Sequence, residues 1–217
     1  MNQEKDNGNK LGNGPSDDVE IAIKSAFDEG DLKRVATLTL ETYGPELMGF
    51  LAACHRRIAE AEEVFSYFSE DLWRGLPDFK WRCSMRTWVY TLARNADRRY
   101  RRSPHTRPGR HVALKDAPEV MEAIEKIRTG TATYLQTGFR NEVHDLRAQL
   151  TLEQQEILIL RLDRGLAWRN IAFIMQDENE PEDEAQLKRR TQTLRKRYDR
   201  IKEKLRRCAE QAGMLDR

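Results

Sequence analysis

The chain has only three cysteines, Cys54, Cys83 and Cys208, and no CxxC pair, so it shows neither the spacing of a zinc site nor the density of a disulfide framework. Its four histidines, His55, His105, His111 and His144, are scattered. No phosphate-cradling Gly-rich loop, dinucleotide-binding turn or metal-ligand cluster is present. With these absent, the usual signs of an enzyme are missing, and we expect no cofactor, no metal and no catalytic residue. No stretch approaches the roughly 20 apolar residues that cross a bilayer, and the opening MNQEKDNGNKLGNGPSDD lacks the apolar core of a signal peptide. The expectation is a cytoplasmic protein, kept reduced, with no membrane partner.

What the 217 residues do contain is charge, at 34%, alongside 39% hydrophobic residues, enough for helical cores under a heavily charged surface. The net charge of +2 conceals segregation of acid and base into separate stretches. Residues 1–18 have almost nothing to bury and read as a flexible tail. From residue 19 to 102 the pattern is helical, punctuated at Gly30, Gly44-Pro45 and Gly75 to Pro77. Residues 103–141 open on SPHTRPGRH and have weak periodicity, which predicts a linker carrying at most one helix. Helical periodicity returns in 142–217. The reading is all-α: two small helical domains joined by a flexible linker, the second with a helix-turn-helix.

Two helices of the first domain differ in sign. In AEEVFSYFSEDLW, Ala61, Val64, Phe65, Phe68 and Leu72 fall on one face, leaving Glu62, Glu63, Glu70 and Asp71 on the outer side. A solvated acidic face is the plainer alternative to a partner site. In SMRTWVYTLARNADRRYRR, Met85, Trp88, Val89, Leu92 and Ala96 form the expected buried stripe, with Arg86, Tyr90, Arg94, Asp97 and Arg101 opposite. From Arg94 to Arg110 there are seven arginines against one acid, with Trp88, Tyr90 and Tyr100 nearby. Guanidinium groups neutralise phosphates and aromatic faces stack on unpaired bases, as single-stranded nucleic acid requires. A merely solvated basic face is again the alternative, and Trp88 suits the core.

In the second domain, Thr151 and Gln154 have capping-box spacing and Gly165 supplies a stop. RGLAWRNIAFIM then reads as the first helix of a helix-turn-helix, with Trp168, Ile171, Ala172 and Met175 on one side. DENEPEDE, residues 177–184, carries six acids in eight residues. In the last helix Leu194, Tyr198, Ile201 and Leu205 face inward, and eleven Lys or Arg lie between Ala185 and Arg207. Arg190, Gln192, Thr193, Arg195, Lys196 and Arg197 occupy the N-terminal part that would enter a major groove. Basic amphipathic helices also meet acidic proteins or membranes.

The order of these segments resembles the extracytoplasmic-function sigma factors, RNA polymerase subunits with one promoter-melting domain and one helix-turn-helix domain. AEEVFSYFSEDLW is similar to the family's polymerase-binding helix, and FKWRCSMRTWVYTLARN to the segment that reads and opens the minus-ten element. LTLEQQEILILRLDRGLAWRNIAFIM and TLRKRYDRIKEKL are similar to the minus-thirty-five module. The resemblance implies polymerase contacts along Glu62 to Trp73: Glu62, Glu63, Phe65, Ser66, Tyr67, Ser69, Glu70, Asp71 and Trp73. It implies that Asn95 holds a flipped minus-ten base, that Arg98, Arg99, Arg101 and Arg102 follow the opened strand, and that Arg94 lies close by. Arg190, Gln192, Thr193, Arg195, Lys196, Arg197 and Arg200 would contact the minus-thirty-five element. Core RNA polymerase and promoter DNA are the implied partners, and an anti-sigma factor is a candidate third.

Two departures stand out. Ser66 and Tyr67 replace the family's usual Gln and Glu, and residues 176–190 intrude where the family has a short turn. Either the acidic insert lengthens the turn, or Leu187 to Thr191 starts the recognition helix early. The rival readings are a helix-turn-helix regulator that acts without polymerase, and a helical scaffold whose basic helices meet acidic proteins.

Overall fold

A computed structural model describes residues 17–55, 57–102, 117–138, 146–176 and 183–214, with backbone alone at 17 and 131–138. The described residues are helical and contain no strand. The expected tail to residue 16, the start of the linker at 103–116, and most of the acidic insert, 177–182, lie outside them.

Helix α1 (Asp17–Asp28) ends where Gly30 takes φ +78°, a conformation glycine adopts without Cβ strain. Gly30 N–H donates to the Phe27 carbonyl and Asp31 N–H to that of Ala26, each at 3.0 Å, the pairing of a Schellman stop. Asp31 then caps α2 (Leu32–Cys54), its Oδ1 accepting from Arg34 N–H at 3.0 Å. One residue thus closes one helix and another opens the next.

Helix α2 runs unbroken through Gly44-Pro45, where the sequence suggests punctuation. Packing decides the matter: Val35, Leu40, Tyr43, Leu47, Met48, Phe50 and Leu51 are all buried, so apolar contacts on several sides hold the helix across the missing proline N–H. Around it pack α1, α3 (Ile58–Gly75), α4 (Met85–Arg102) and α5 (Pro118–Gly138). Helix α5 comes from the stretch read as linker. It lies along α2, burying Val120, Ala123, Ile124 and Ile127. A Cβ on Gly44 would come within 2.4 Å of Ile127 Cδ1, so the glycine is the notch into which α5 fits.

The C-terminal unit opens with the predicted capping box, in which Gln154 N–H donates to Thr151 Oγ1 and Thr151 N–H to Gln154 Oε1. Helix α6 (Leu152–Leu158) widens into a π turn at Ile159–Asp163 and stops before Gly165, φ +64°. Helix α7 (Trp168–Ile174) is followed by α8 (Glu184–Gln211), which has Asp183 as its cap. The last helix starts at Glu184, ahead of the early start at Leu187 to Thr191 that the sequence allowed. Leu194 and Ile201 are buried against α6 and α7, and Trp168 meets Tyr198 edge-on at 5.3 Å. The buried apolar residues form one continuous core from Ile23 to Ile201, so the two units are in contact.

Because Gly44 leaves no room for a side chain, Gly44→Val should dislodge α5 and cost about 1–3 kcal/mol. Denaturant unfolding checks this, and an unchanged midpoint would mean that α5 is not seated in the notch.

Candidate nucleic-acid interface

Helix α4 is fixed at both ends. At its start Ser84 Oγ accepts from Thr87 N–H at 3.1 Å. Glu20, from α1, accepts from Met85 N–H at 3.0 Å and Arg86 N–H at 2.9 Å. A carboxylate there satisfies orphan donors and complements the helix dipole. Glu20 also accepts from the Tyr43 hydroxyl at 2.6 Å, and burial together with that carboxylate pushes the phenol well above its ordinary pKa. At the other end, Arg101 donates to both oxygens of Asp97 at 3.0 Å and to the Cys54 carbonyl at 2.6 Å. Buried Asp97 also meets His55 Nε2 at 2.6 Å. This network ties the end of α4 to the end of α2.

The arginine-rich end of α4 therefore divides. Arg101 is an anchor as well as a surface cation. Arg94 is 8% exposed and donates from Nε to Glu156 of α6 at 3.1 Å. Arg99 pairs with Asp71 of α3. Asn95, Arg98 and Arg102 follow one another at helical spacing along a single face, and the Asn95 Oδ1 atom is buried without a hydrogen-bond partner. Tyr90 and Asp97, expected on the outer side, are inside, because α4 is covered on one flank by α2 and α3 and on another by α7. Met85, Val89 and Ala96 of the expected stripe are buried, whereas Trp88 and Leu92 are partly exposed; Trp88 stacks on Phe79 at 4.4 Å.

On α3 all five predicted stripe residues, Ala61, Val64, Phe65, Phe68 and Leu72, are fully buried. Phe65 is thus core, with no side-chain surface to offer. Ser69 is also buried, donating to the Phe65 carbonyl at 2.8 Å. Glu70, expected outside, is only 5% exposed and pairs with Arg74 at 3.5 Å. The outer acidic face consists of Glu62, Glu63 and Asp71, with Ser66, Tyr67 and Trp73 partly exposed beside it. Arg128 of α5 approaches Glu62 at 3.8 Å. Nothing in the local sequence links those two residues; only the docking of α5 brings them together.

On α8, Gln192, Thr193, Arg195, Lys196, Arg197 and Arg200 are exposed, while Arg190 is half-buried. Arg197 is engaged with Glu153 at the start of α6. Arg189, absent from the sequence-derived set, is exposed and aligns with Gln192, Thr193, Lys196 and Arg200 on one helical face.

Beside their continuous apolar core, the two units also share polar contacts. Arg86 forms a two-pronged bond with Glu46, 2.9 Å at each prong, and donates to the Arg164 carbonyl at 3.1 Å. The Arg164 side chain crosses α2 at Gly49, where a Cβ would stand 2.9 Å from its Nη2. Burial raises the Glu156 carboxyl pKa in spite of the opposing pull of Arg94. Among the described residues no cluster of three or more His, Cys, Asp or Glu could hold a metal ion, and no helix is long and apolar enough to cross a membrane.

Residues 39–107 match the family described as Sigma-70 region 2. The chain is also 24% identical over 147 residues to the RNA polymerase sigma-H factor of Pseudomonas aeruginosa, an alignment covering 66% of this chain and 76% of that protein. No solved structure matches the chain.

Replacing Arg101 by Ala is expected to lower stability by about 1–3 kcal/mol, since its charged hydrogen bonds hold buried Asp97, whereas Arg102→Ala should stay within about 0.5 kcal/mol of the parent. Equal effects in thermal unfolding would contradict the division of this cluster into anchor and surface.

Proposed function

We infer that this chain is an RNA polymerase sigma factor, carrying a sigma-70 region 2 in its first helical unit and directing core RNA polymerase to promoter DNA. The observation that carries this is the region 2 match over residues 39–107, which takes in both the acidic outer face of α3 and the basic outer face of α4. The likeness to the Pseudomonas sigma-H factor, extending over 66% of the chain, supports it. A regulator that ignores polymerase accounts for neither.

Within that reading, Glu62, Glu63 and Asp71, with Ser66, Tyr67 and Trp73, form the surface offered to polymerase. Asn95, Arg98 and Arg102 meet the minus-ten strand. Arg189, Gln192, Thr193, Lys196 and Arg200 read the minus-thirty-five duplex, with α7 and α8 as the helix-turn-helix. Order and content of the segments favour the extracytoplasmic-function class. The work is done by binding energy: contacts to unpaired bases and phosphates offset the cost of opening the duplex, and no group acts as nucleophile or general acid.

Run-off transcription from a genomic fragment library tests the assignment. The expected result is promoter-specific initiation by core polymerase only when this protein is added; absence of both polymerase binding and initiation would overturn it. Asn95→Ala should weaken open-complex formation by about 1–3 kcal/mol and leave polymerase binding intact. Lys196→Ala should lower the salt slope of duplex binding by about 1. Equal loss of polymerase and DNA binding in the Asn95 variant would contradict its role.

A further inference from the structure

His55 follows the last residue of α2 and is buried, its side chain only 2% exposed, yet none of the surfaces described above uses it. Its ring has a carboxylate at each nitrogen. Nε2 is 2.6 Å from Asp97 Oδ1 on α4, and Nδ1 is 3.4 Å from Glu60 Oε2 on α3. Arg101 competes for the same carboxylate: its Nε donates to both Asp97 oxygens at 3.0 Å. Its Nη2, which donates to the Cys54 carbonyl, lies 3.3 Å from His55 Nε2. The Tyr100 ring meets the imidazole edge-on at 5.8 Å.

A carboxylate only accepts hydrogen bonds and a guanidinium only donates them. At 2.6 Å from Asp97, Nε2 therefore carries a hydrogen and has no lone pair to offer Arg101. Nδ1 is left facing Glu60. A neutral ring turns a lone pair toward that carboxylate, whereas a charged ring donates to both carboxylates at once. Imidazole is the side chain that ordinarily changes charge between about pH 5 and 8. The adjoining Cys54 and Tyr100 hold their protons throughout. Burial pushes the Cys54 thiol up, with Glu156 and Asp97 adding to it, and burial with Glu63 and Glu60 raises the Tyr100 phenol.

The charge on the ring thus decides how Asp97 is shared. Beside a neutral ring, Asp97 gives its charge to Arg101, whose guanidinium is folded back onto α4. A charged ring sets two cations 3.3 Å apart over one buried carboxylate, and Arg101 is the one with a way out. Its side chain is 36% exposed, and it stands one turn from Arg98 and beside exposed Arg102. We propose that His55 is a positioning residue acting through Asp97: while its ring is neutral Arg101 stays folded on the helix, and when the ring is protonated Arg101 turns outward and adds a phosphate contact to those of Arg98 and Arg102. The identity of the strand it meets rests on the sigma-factor reading; the exchange of partners at Asp97 does not.

Binding of a mixed-sequence single-stranded deoxyoligonucleotide to the full chain, read by fluorescence anisotropy at pH 6 and pH 8 well below the melting temperature, tests this. One added phosphate contact steepens the salt slope by about 0.7 and tightens binding about fivefold in 0.1 M salt. The parent should show that gain from pH 8 to pH 6 over and above any change in His55→Gln. Glutamine keeps an N–H for Asp97 and never takes a charge, while His105, His111 and His144 are common to both proteins. Arg101→Gln should lose the same gain with His55 in place, which a merely structural histidine does not predict. Identical pH profiles in parent and His55→Gln, or a parent-like gain in Arg101→Gln, would overturn the proposal. Glu60→Gln, at a partly exposed site, covers the case in which His55→Gln does not fold: with one carboxylate gone the gain should need a lower pH, and an unmoved profile would overturn the role of the ring. An arm without nucleic acid follows the Arg101 Nε–H by NMR. Its hydrogen exchange should be faster in the parent than in His55→Gln at pH 6 and equal at pH 8; equal rates at both would overturn the exchange of partners. With core polymerase and a promoter fragment, open-complex formation should show the same difference between parent and His55→Gln, and its absence there would overturn the link to promoter opening. If the parent neither binds core polymerase nor initiates, the sigma-factor reading fails, and the oligonucleotide and NMR results still decide the role of His55.

Discussion

Helix α2 carries more apolar surface than any single neighbour can cover, and this constraint organises the first unit. Val35, Tyr43, Met48, Phe50 and Leu51 need cover on several sides, so α1, α3, α4 and α5 must all pack round it. At about 25 cal/mol per Å² of apolar area, burying each large side chain contributes on the order of 1.5–3 kcal/mol, which outweighs the proline in the middle of the helix. The position of α4 follows from that packing, and the polar bonds of Glu20, Asp97 and Arg101 then fix its ends.

The arginines show how one residue type serves opposite ends. Where a guanidinium faces a buried carboxylate, as Arg101 does at Asp97 and Arg94 at Glu156, it is committed to holding elements together. Where it projects from an exposed helix face, as Arg102, Arg189 and Arg200 do, its charge is available to phosphates. Loss of the first kind damages the protein before it damages binding; loss of the second leaves the fold alone.

Features set by neighbours along the chain were legible in the sequence: the α3 stripe, the Thr151–Gln154 capping box, and the stops at Gly30 and Gly165 all depend on residues a few positions apart. Features set by distant neighbours were not. Gly44-Pro45 looks like a break until its packing is known, and the 118–138 segment reads as linker with one helix at most because Thr129-Gly130 and Gly138 interrupt a weak periodicity, whereas Val120, Ala123, Ile124 and Ile127 are in fact buried along α2. Glu70 belongs to an acidic run, yet lies inside beside Arg74. The side of α4 bearing Tyr90 and Asp97 reads as exposed because helical periodicity reports a stripe facing one partner, and α4 has partners on two flanks. Charge composition located the candidate surfaces without telling which cations were already paired within the fold.

Glu20 lies on a helix that contributes none of the candidate contacts, yet its one carboxylate receives the Tyr43 hydroxyl and the first two backbone amides of α4. The amino-terminal boundary for trimming is thereby set from 65 residues away. A shortened chain that begins beyond residue 20 would keep the outer groups of α3, α4 and α8 while leaving the first two amides of α4 without their carboxylate, Ser84 as the remaining cap, and a buried phenol without its acceptor.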